Sequence, residues 1–486
     1  MIQLRPYQEN LIGRARVALR RSRRVLIQLP TGGGKTVLAA NMAGTASRKR
    51  KRVWFVCHRD FLLAQTSGTF MDVGIEHAFI AAGWGYNPHH LVQVCSVDTL
   101  KNRLGKVDPP DMIVWDECHH IAAAGWAKIM AWAKDAYHVG LSATPCRLDG
   151  KGLDAHFDEL VCGPTVAELM EWGSLSKYKA YAPGTPDLTG LHSRYGDFVK
   201  GELEEKMDKG VIIGDMVRHY RQLAMGKRIV YFAVSVKHSQ HIAETFCAAG
   251  IPFAHIDGTT PSDERKRAAM AFARGELLGL SNVDLFGEGY DLAAQAGMPV
   301  TIDAVGLARP TQSLSLHIQQ MGRALRPKAD GSPAIIIDHA GNITRPGLGF
   351  PDDDREWSLE GASKKPSSAE GGIATRQCPE CFHIHRPAPV CPACGNRYET
   401  ASREVEEIDG DLQEIDPSII RHGRKMEEWN CESEADLVKL GERRGYQYPQ
   451  AWARRMWQLR AANRSKGADG RVRPAAHPTL AFNDPV

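Results

Sequence analysis

Short hydrophobic runs recur along two stretches of the chain, and each is followed by a turn and then by a helix-like pattern. In the first stretch the runs occupy residues 25–29, 53–57, 92–96, 112–115 and 138–141, and in the second 229–234, 253–256, 277–283, 300–305 and 334–338. Runs of this length, separated by helix-length segments, are typical of parallel sheets covered by helices on both faces. The pattern therefore predicts two tandem α/β domains.

The same patterns divide the chain into seven segments. The two α/β domains are expected at 1–165 and 211–345, with a linker or accessory segment at 166–210. Gly, Pro, Ser and charged residues indicate a flexible connector at 346–375. The remaining segments are a cysteine cluster at 376–400, an acidic connector with a helical segment at 401–465, and a polar tail at 466–486 that we expect to be disordered.

Composition narrows the class of protein. The 486 residues are 43% hydrophobic and 24% charged, close to the globular average, so disorder of the whole chain is excluded. No stretch approaches the roughly 18 uncharged apolar residues of a membrane span, and the N-terminus lacks the apolar core of a signal peptide. We therefore expect a cytosolic protein without a membrane partner. The net charge of +4 is too small to imply nucleic acid by itself.

A glycine-rich loop provides the sharpest local signal. It lies between a predicted strand and a predicted helix and carries Thr31, Gly32, Gly33, Gly34, Lys35 and Thr36. Glycines allow several backbone N–H groups to point at one phosphate, and the following helix adds its positive end. Lys35 is expected to reach the β- and γ-phosphates, and Thr36 to bind Mg²⁺. The alternative is a glycine-rich turn with a chance lysine, because Leu29 stands where the strict pattern has glycine.

Two adjacent carboxylates follow the predicted strand at 112–115. Asp116 can hold Mg²⁺, and Glu117 can orient and deprotonate an attacking water. A solvated turn is the alternative. Hydrolysis also needs positive charge at the γ-phosphate, which Arg323 and Arg326 in the second domain can supply across a closed cleft. On a helix these two arginines share a face, although an ordinary basic surface helix gives the same pattern.

These residues belong to an ordered series of motifs that resembles the superfamily 2 helicases of the DEAD/DEAH type. The resemblance covers roughly residues 2–340. Its motifs lie at 4–8, 30–36, 57–65, 96–100, 116–119, 142–145, 255–258, 282–291 and 319–326. It implies two RecA-like domains with ATP in the cleft between them.

The resemblance also implies roles for individual residues. Arg5 and Gln8 would read adenine. Gly289 and Asp291 would bind the nucleotide, with Asp291 in contact with the ribose or coupled to the arginines. Gln319, Arg323 and Arg326 would complete the catalytic set, and Ser142 and Thr144 would link hydrolysis to domain motion. Contacts to nucleic acid are implied for His58, Arg59, Ser96 and Thr99. Asn282 or Asp284 stands where the family commonly has threonine. Nucleic-acid contacts of individual residues in the motif at 282–291 are therefore not assigned.

Within the superfamily, residues 306–314 resemble the excision-repair and prophage-type branch. The segment at 436–457 resembles the tails of phage-encoded members. This branch implies DNA more than RNA as the partner, together with replication, repair or recombination proteins. It also implies a bacterial or phage-infected host cytosol.

Four cysteines form two Cys-Pro-x-Cys turns, Cys378 with Cys381 and Cys391 with Cys394. Four thiolates at this spacing can surround one Zn²⁺ in a closed structural site, whereas a lone pair could be redox-active. His383 and His385 lie between the turns and are expected at the surface. The ribbon could grip nucleic acid, dock a partner or stabilise the fold. The arginines of the C-terminal helical segment could contact nucleic acid or only pack.

The sequence thus predicts a nucleic-acid-stimulated ATPase that steps along or opens a duplex. The alternatives are a double-strand DNA translocase that remodels protein–DNA complexes without separating strands, a motor subunit of a restriction-type complex, and a non-catalytic ATP-gated binding module. The adjacent carboxylates argue against the last of these.

Overall fold

The computed structural model of the protein describes residues 4–147, 150–182, 188, 190–194, 197–207, 210–285, 292–361, 375–398, 426–428, 430–444 and 449–466. The chain forms two units, Met1–Thr400 and Ala401–Val486. The first unit contains both predicted α/β domains, and the second contains the helical segment near the C-terminus.

The first domain is built on a parallel sheet of seven strands in the order β3-β4-β2-β5-β6-β1-β7. The strands are β1 (Arg24–Gln28), β2 (Val53–Cys57), β3 (His77–Ile80), β4 (Val92–Ser96), β5 (Met112–Asp116), β6 (Tyr137–Ser142) and β7 (Glu159–Cys162). All neighbouring strands run parallel, so their carboxyl ends lie along one edge of the sheet.

Helices cover both faces of this sheet. They are α1 (Pro6–Ala18), α2 (Lys35–Arg48), α3 (Asp60–Asp72), α4 (Val97–Arg103) and α5 (Ala124–Trp132), with a short 3₁₀ turn at Cys118–His120. One core contains Leu38, Phe55 and Phe70, and the other contains Trp54 and Trp115. Alternate residues of the buried strands thus enter opposite cores, which explains why the strands are hydrophobic throughout.

The second domain has an eight-stranded sheet in the order β12-β13-β11-β14-β15-β8-β17-β16. Its strands are β8 (Tyr178–Tyr181), β11 (Ile229–Phe232), β12 (Phe253–Ile256), β13 (Gly279–Asn282), β14 (Ala304–Leu307), β15 (Ala334–Asp338), β16 (Arg376–Gln377) and β17 (His383–His385), and a separate hairpin consists of β9 (Ser193–Arg194) and β10 (Asp197–Phe198). The strands from β12 to β8 pair in parallel, and the last two pair antiparallel.

The helices of the second domain are α6 (Val166–Glu171), α7 (Lys200–Met207), α8 (Gly210–Leu223), α9 (Val236–Ala248), α10 (Ser262–Arg274), α11 (Leu292–Ala296) and α12 (Leu314–Gly322). Val230 and Phe232 enter one core of the sheet, and Tyr231 and Phe246 enter the other. The predicted fold class, two parallel-sheet α/β domains in tandem, is confirmed.

Two segments differ from their predicted character. Strand β8, inside the predicted linker at 166–210, pairs with β15 of the second sheet. Leu348 and Phe350 are buried, so this part of the predicted connector packs on the domain. His383 and His385 are also buried, because strand β17 joins the sheet edge at β8. Their predicted surface position is wrong.

The second unit contains a helical hairpin, α13 (Glu434–Arg443) and α14 (Pro449–Lys466). A Cβ on Gly441 would lie 3.1 Å from atoms of both Pro449 and Trp452, so glycine permits the close approach of the two helices. Across the described residues of both units, no helix is both long enough and apolar enough to span a membrane.

Candidate functional site

The glycine-rich loop joins β1 to α2 at the carboxyl edge of the first sheet. Gly32 and Gly34 adopt φ values of 84° and 89°, a conformation that other residues rarely take. A Cβ on Gly33 would lie 2.8 Å from Cγ of Leu29, which is fully buried. Leu29 therefore fills the space behind the loop, which accounts for a leucine at the position where the strict pattern has glycine.

The N-terminal motif is tied directly to this loop. The amide of Gln8 donates from Nε2 to the Gly33 carbonyl over 3.0 Å, and the Tyr7 hydroxyl donates to the same oxygen over 2.9 Å. Gln8 also accepts from the backbone N–H of Arg5 over 3.0 Å. A ligand that changes the contacts of Gln8 would therefore also change the hydrogen bond to Gly33 in the glycine-rich loop.

A cavity of about 670 Å³ opens beside this motif, lined in part by Arg5, Tyr7, Arg14 and Glu168. Trp172 closes one side and stacks on Tyr7, with ring centroids 6.1 Å apart. Sequence analysis did not select Trp172, because it lies far along the chain from the motif that it contacts.

The predicted carboxylates lie at the end of β5. Lys35 Nζ donates to Glu117 Oε1 over 2.9 Å, and both side chains are largely buried. Burial, and secondarily the charge of Glu117, raise the pKa of Asp116 to about 7. Two adjacent carboxylates, of which Glu117 is paired with Lys35, form a donor set that suits a divalent cation. The structure therefore places Lys35 of the glycine-rich loop beside the two carboxylates that follow β5, the arrangement that the sequence analysis expected.

A chain of polar contacts leads from the carboxylates to the second domain. His119 Nδ1 lies 3.5 Å from Glu117 Oε2 and 3.4 Å from the Ser142 hydroxyl. Ser142 donates to the Thr144 carbonyl over 2.7 Å, and the Thr144 hydroxyl lies 2.6 Å from that of Ser315. Ser315 belongs to α12, so this buried hydrogen bond joins the two domains.

Helix α12 also approaches the glycine-rich loop. A Cβ on Gly322 would lie 2.7 Å from Cβ of Thr31, so glycine is required where the two domains meet. The helix ends at Gly322, and Gln319 and Arg323 are buried whereas Arg326 is exposed. The expectation that Arg323 and Arg326 share one helix face is therefore wrong. Gly289 and Asp291 lie outside the described residues.

The residues predicted to contact nucleic acid lie at the same sheet edge. His58 and Arg59 follow β2, and Arg59 Nη1 donates to the Asp284 carbonyl of the second domain over 3.1 Å. Ser96 is buried at the end of β4. The Thr99 hydroxyl accepts from the backbone N–H of Ala82 over 3.0 Å.

Arg309 and Asp197 are two network residues that sequence analysis missed. The nearly buried Arg309 pairs with the carboxylate of Asp284 and, over 3.2 Å, with Asp197 of the β9–β10 hairpin. Asp197 also accepts from the Thr311 hydroxyl and the Gln312 N–H, over 3.0 and 2.8 Å. The hairpin is thereby fastened beside the interdomain contact of Arg59. The burial of Arg309 is visible only in the structure, so the sequence offered no signal for this network.

The four predicted cysteines converge. Sγ of Cys378 lies 3.6 Å from that of Cys394, and Sγ of Cys381 lies 3.7 Å from that of Cys391. All four sulfur atoms lie within 4.8 Å of one another. Tetrahedral zinc with Zn–S bonds of about 2.3 Å requires sulfur separations of about 3.8 Å, so the cluster fits the ion.

Two arginines of the second unit bind other residues of the same unit. Arg444 pairs with Glu427 and Glu428 over 2.8 and 2.6 Å, and Arg460 donates to the Cys431 carbonyl over 3.0 Å. These contacts favour packing for two of the arginines that sequence analysis left open.

Comparison with known proteins matches both domains. Residues 1–147 match the family described as "Type III restriction enzyme, res subunit", and residues 212–328 match "Helicase conserved C-terminal domain". A "51.5 kDa protein" of Lactococcus phage (isolate 7-9) is 32% identical over 400 residues, covering 82% of this chain and 83% of the phage protein.

A second relative and a solved structure extend the comparison. The "Putative ATP-dependent helicase IRC3" of Saccharomyces cerevisiae is 29% identical over 70% of this chain, which spans about half (51%) of the yeast protein. A structure of a putative HsdR subunit of a type I restriction enzyme from Vibrio vulnificus aligns with a TM-score of 0.54 and 20% identity, over 71% of this chain and 67% of that one. This last likeness concerns the fold.

Proposed function

The chain belongs to the superfamily 2 helicases, which hydrolyse ATP, and from this premise we propose that it couples ATP hydrolysis to stepping along or opening duplex DNA. The observation that carries the proposal is the close approach of Gly322 in the second domain to Thr31 in the glycine-rich loop. A nucleotide bound on the loop would touch both domains, so its hydrolysis can change how they fit together.

Different residues of the first domain would bind phosphate, hold Mg²⁺ and accept the proton of the attacking water. Lys35 neutralises phosphate charge, and Thr36 with Asp116 would hold Mg²⁺, which further neutralises that charge when bound. Lys35 is paired with Glu117. Phosphate would compete for Lys35, which frees the Glu117 carboxylate to orient water and accept its proton.

The second domain supplies the remaining charge. Arg323 directly follows Gly322, and Gln319 lies on the same buried part of α12. We assign Arg323 and Arg326 to the γ-phosphate in the nucleotide-bound state, with Arg5 and Gln8 at the base. Arg323 is buried at the domain contact, and Arg326 is exposed.

Two substitutions test the assignments in the first domain. Glu117→Gln should retain ATP binding while turnover falls roughly 10²- to 10⁴-fold, because only the proton acceptor is lost. Lys35→Ala should lose nucleotide binding, turnover or both. Normal turnover in Glu117→Gln would refute the role of Glu117 as the base. An active Lys35→Ala would contradict the phosphate-binding role of the loop.

Three parallel measurements test the nucleic acid. ATPase activity should rise with DNA and rise less with RNA, measured with single-stranded DNA, double-stranded DNA and RNA at one salt concentration. A strand-displacement assay beside a triplex-displacement assay distinguishes opening of the duplex from movement along it. Triplex displacement without strand displacement would identify a double-strand translocase. Absence of stimulation by all three nucleic acids would overturn the proposal.

We assign a structural Zn²⁺ to Cys378, Cys381, Cys391 and Cys394. Four thiolates leave no position for substrate, so the ion would hold the two turns together and not take part in the reaction. The ribbon strand β17 pairs with β8. The sequence left three roles open for the ribbon: gripping nucleic acid, docking a partner or stabilising the fold. The pairing of β17 with β8 favours stabilisation of the second domain.

A further inference from the structure

The connection between β3 and β4 exposes two large aromatic side chains. Trp84 is 40% exposed and Tyr86 is 37% exposed. The connection begins with a tight turn in which the Trp84 N–H approaches the Ala81 carbonyl at 3.4 Å and Gly83 has a φ of 76°. Exposed aromatic rings at a turn cost solvation free energy and often mark a binding surface.

The turn is held in place from two sides. The N–H of Ala82 donates to the Thr99 hydroxyl, and the ring of Trp84 packs against Phe79, with centroids 4.1 Å apart and an angle of 31° between the rings. Phe79 thus supports one side of the indole, while Trp84 as a whole stays 40% exposed. A ring supported in this way loses little conformational freedom when a ligand stacks on it.

The position of the turn relates it to the domain cleft. Ile80 is in register with Cys95, so the turn emerges at the carboxyl edge of the sheet, level with Ser96. The same edge carries Arg59, which bonds to the second domain, and the glycine-rich loop. Trp84 therefore lies beside the predicted nucleic-acid contacts and not on an unrelated surface.

We propose that Trp84 is a stacking platform for an unpaired base of the nucleic acid, next to Thr99. The inference rests on the proposed function, since it requires that nucleic acid follows this edge. Every base has an aromatic face, so stacking adds affinity without reading sequence. Tyr86, two residues further along the same connection, extends the aromatic surface.

Binding of a labelled oligothymidylate by the full chain tests the proposal. Trp84→Ala should weaken binding roughly 5- to 150-fold, the loss expected for removing one base–aromatic stack. Trp84→Phe should restore part of it. The matched control is Tyr137→Ala: Tyr137 is also 40% exposed on this domain but begins β6 at the opposite edge of the sheet. Its binding should equal that of the wild type.

An oligonucleotide with abasic sites separates stacking from a structural effect. Removal of the bases should weaken binding by wild type, whereas Trp84→Ala should bind the abasic and intact strands more equally. ATPase activity without nucleic acid should not change. Equal preference of wild type and Trp84→Ala for intact over abasic strands would overturn the inference alone. Failure of wild type to bind any nucleic acid would instead overturn the proposed function.

Discussion

At the scale of single residues, Glu117 combines a functional carboxylate with an unusual backbone. Its φ of 47° places it in the left-handed region, which costs a residue with a side chain about 1–2 kcal/mol. This turn directly after β5 lets Glu117 reach Lys35 while Asp116 stays at the strand end. The strained conformation and the bond to Lys35 therefore occur at the same residue, as is common at sites that have to be pre-organised.

The raised pKa of Asp116 predicts a pH-dependent stability. The folded protein holds this proton more tightly than the unfolded chain, because the pKa is about 7 when folded against an ordinary value of 3.8. The resulting stabilisation is present below the ordinary pKa and disappears as pH rises through about 7. Without Mg²⁺ or nucleotide, wild type should therefore lose thermal stability relative to Asp116→Asn between about pH 5 and pH 8.

Asp111→Asn is the control for this measurement. Burial raises the pKa of Asp111, but hydrogen bonds from Arg52 and Lys51 outweigh that effect and keep the pKa below its ordinary value. Asp111 is then ionised in both the folded and unfolded states throughout this range. Its substitution should shift the midpoint by the same amount at every pH, and parallel curves for Asp116→Asn would contradict the assignment.

At the scale of elements, the sequence predicts long hydrophobic strands and misses several short strands that contain a polar residue. Strands β2, β4 and β15, inside their sheets, and β12, at a sheet edge, have the predicted bounds. In β2 every residue is buried, which explains its unbroken hydrophobic run. Strands β3 and β7, at the two edges of the first sheet, and β8, between β15 and β17, were missed. Each has only four residues and a polar member, and its pairing is decided by the neighbouring strand.

Strand β14 and helix α12 show why boundaries are harder to predict than the elements themselves. The prediction of a strand at 300–305 is shifted from the observed Ala304–Leu307, because Asp303 instead accepts the N–H of Arg228 at the strand entrance. Helix α12 stops at Gly322, where the first domain is in contact. Both boundaries depend on residues distant in the chain, which local patterns do not contain.

Removal of zinc should destabilise the second domain. A ribbon this short has no core of its own, so the metal supplies its folding free energy, and its loss also exposes the β8 edge. We expect about one zinc per chain in wild type, and in Cys381→Ser a loss of metal with a lower thermal midpoint. Metal analysis and calorimetry measure both.

Cys247→Ser is the control for the zinc experiment, because Cys247 is exposed and lies outside the four-cysteine cluster. It should keep both the metal and the midpoint of wild type. A protein purified without any bound metal, whose midpoint does not respond to zinc or to a chelator, would contradict the metal site.

The hairpin β9–β10 depends on Asp197. Asp197→Ala removes the acceptor for Thr311, Gln312 and one side of Arg309. Loss of a partner for the buried Thr311 hydroxyl and the largely buried Arg309 guanidinium should lower the free energy of unfolding by about 1–3 kcal/mol, measured by urea denaturation. Glu276→Ala, at an exposed carboxylate, should change it by less than about 0.5 kcal/mol. Equal values for both variants would exclude an anchoring role.

At the scale of the whole molecule, three of the contacts between the α/β domains among the described residues lie close to the predicted site. Thr144 bonds to Ser315, Arg59 bonds to the Asp284 carbonyl, and Gly322 lies against Thr31. The last two each connect a predicted motif of the first domain with one of the second, whereas Ser315 precedes the predicted motif at 319–326. The resemblance to superfamily 2, which is confirmed, implied a cleft between the domains, but the individual pairs could not be predicted because they depend on how the two sheets are oriented.

Gly322 lies so close to Thr31 that a single added methyl group at residue 322 would disturb the contact between the two domains. In Gly322→Ala the new Cβ would lie 2.7 Å from Cβ of Thr31, so the domains have to separate or the loop has to shift. We expect ATPase turnover to fall markedly, because Arg323 follows directly and has to reach the nucleotide across this contact. The thermal midpoint should change little, since each domain keeps its own core.

The control is Gly68→Ala, in helix α3, where a Cβ would meet no atom within 4 Å. Alanine in a helix is favoured over glycine by about 1 kcal/mol, so this variant should be equally active and slightly more stable. Gly322→Ala should also bind ATP through the first domain, where the phosphate loop is intact. Weakened turnover with retained nucleotide binding would place the defect in the contact between domains, whereas full activity of Gly322→Ala would show that hydrolysis does not require this approach.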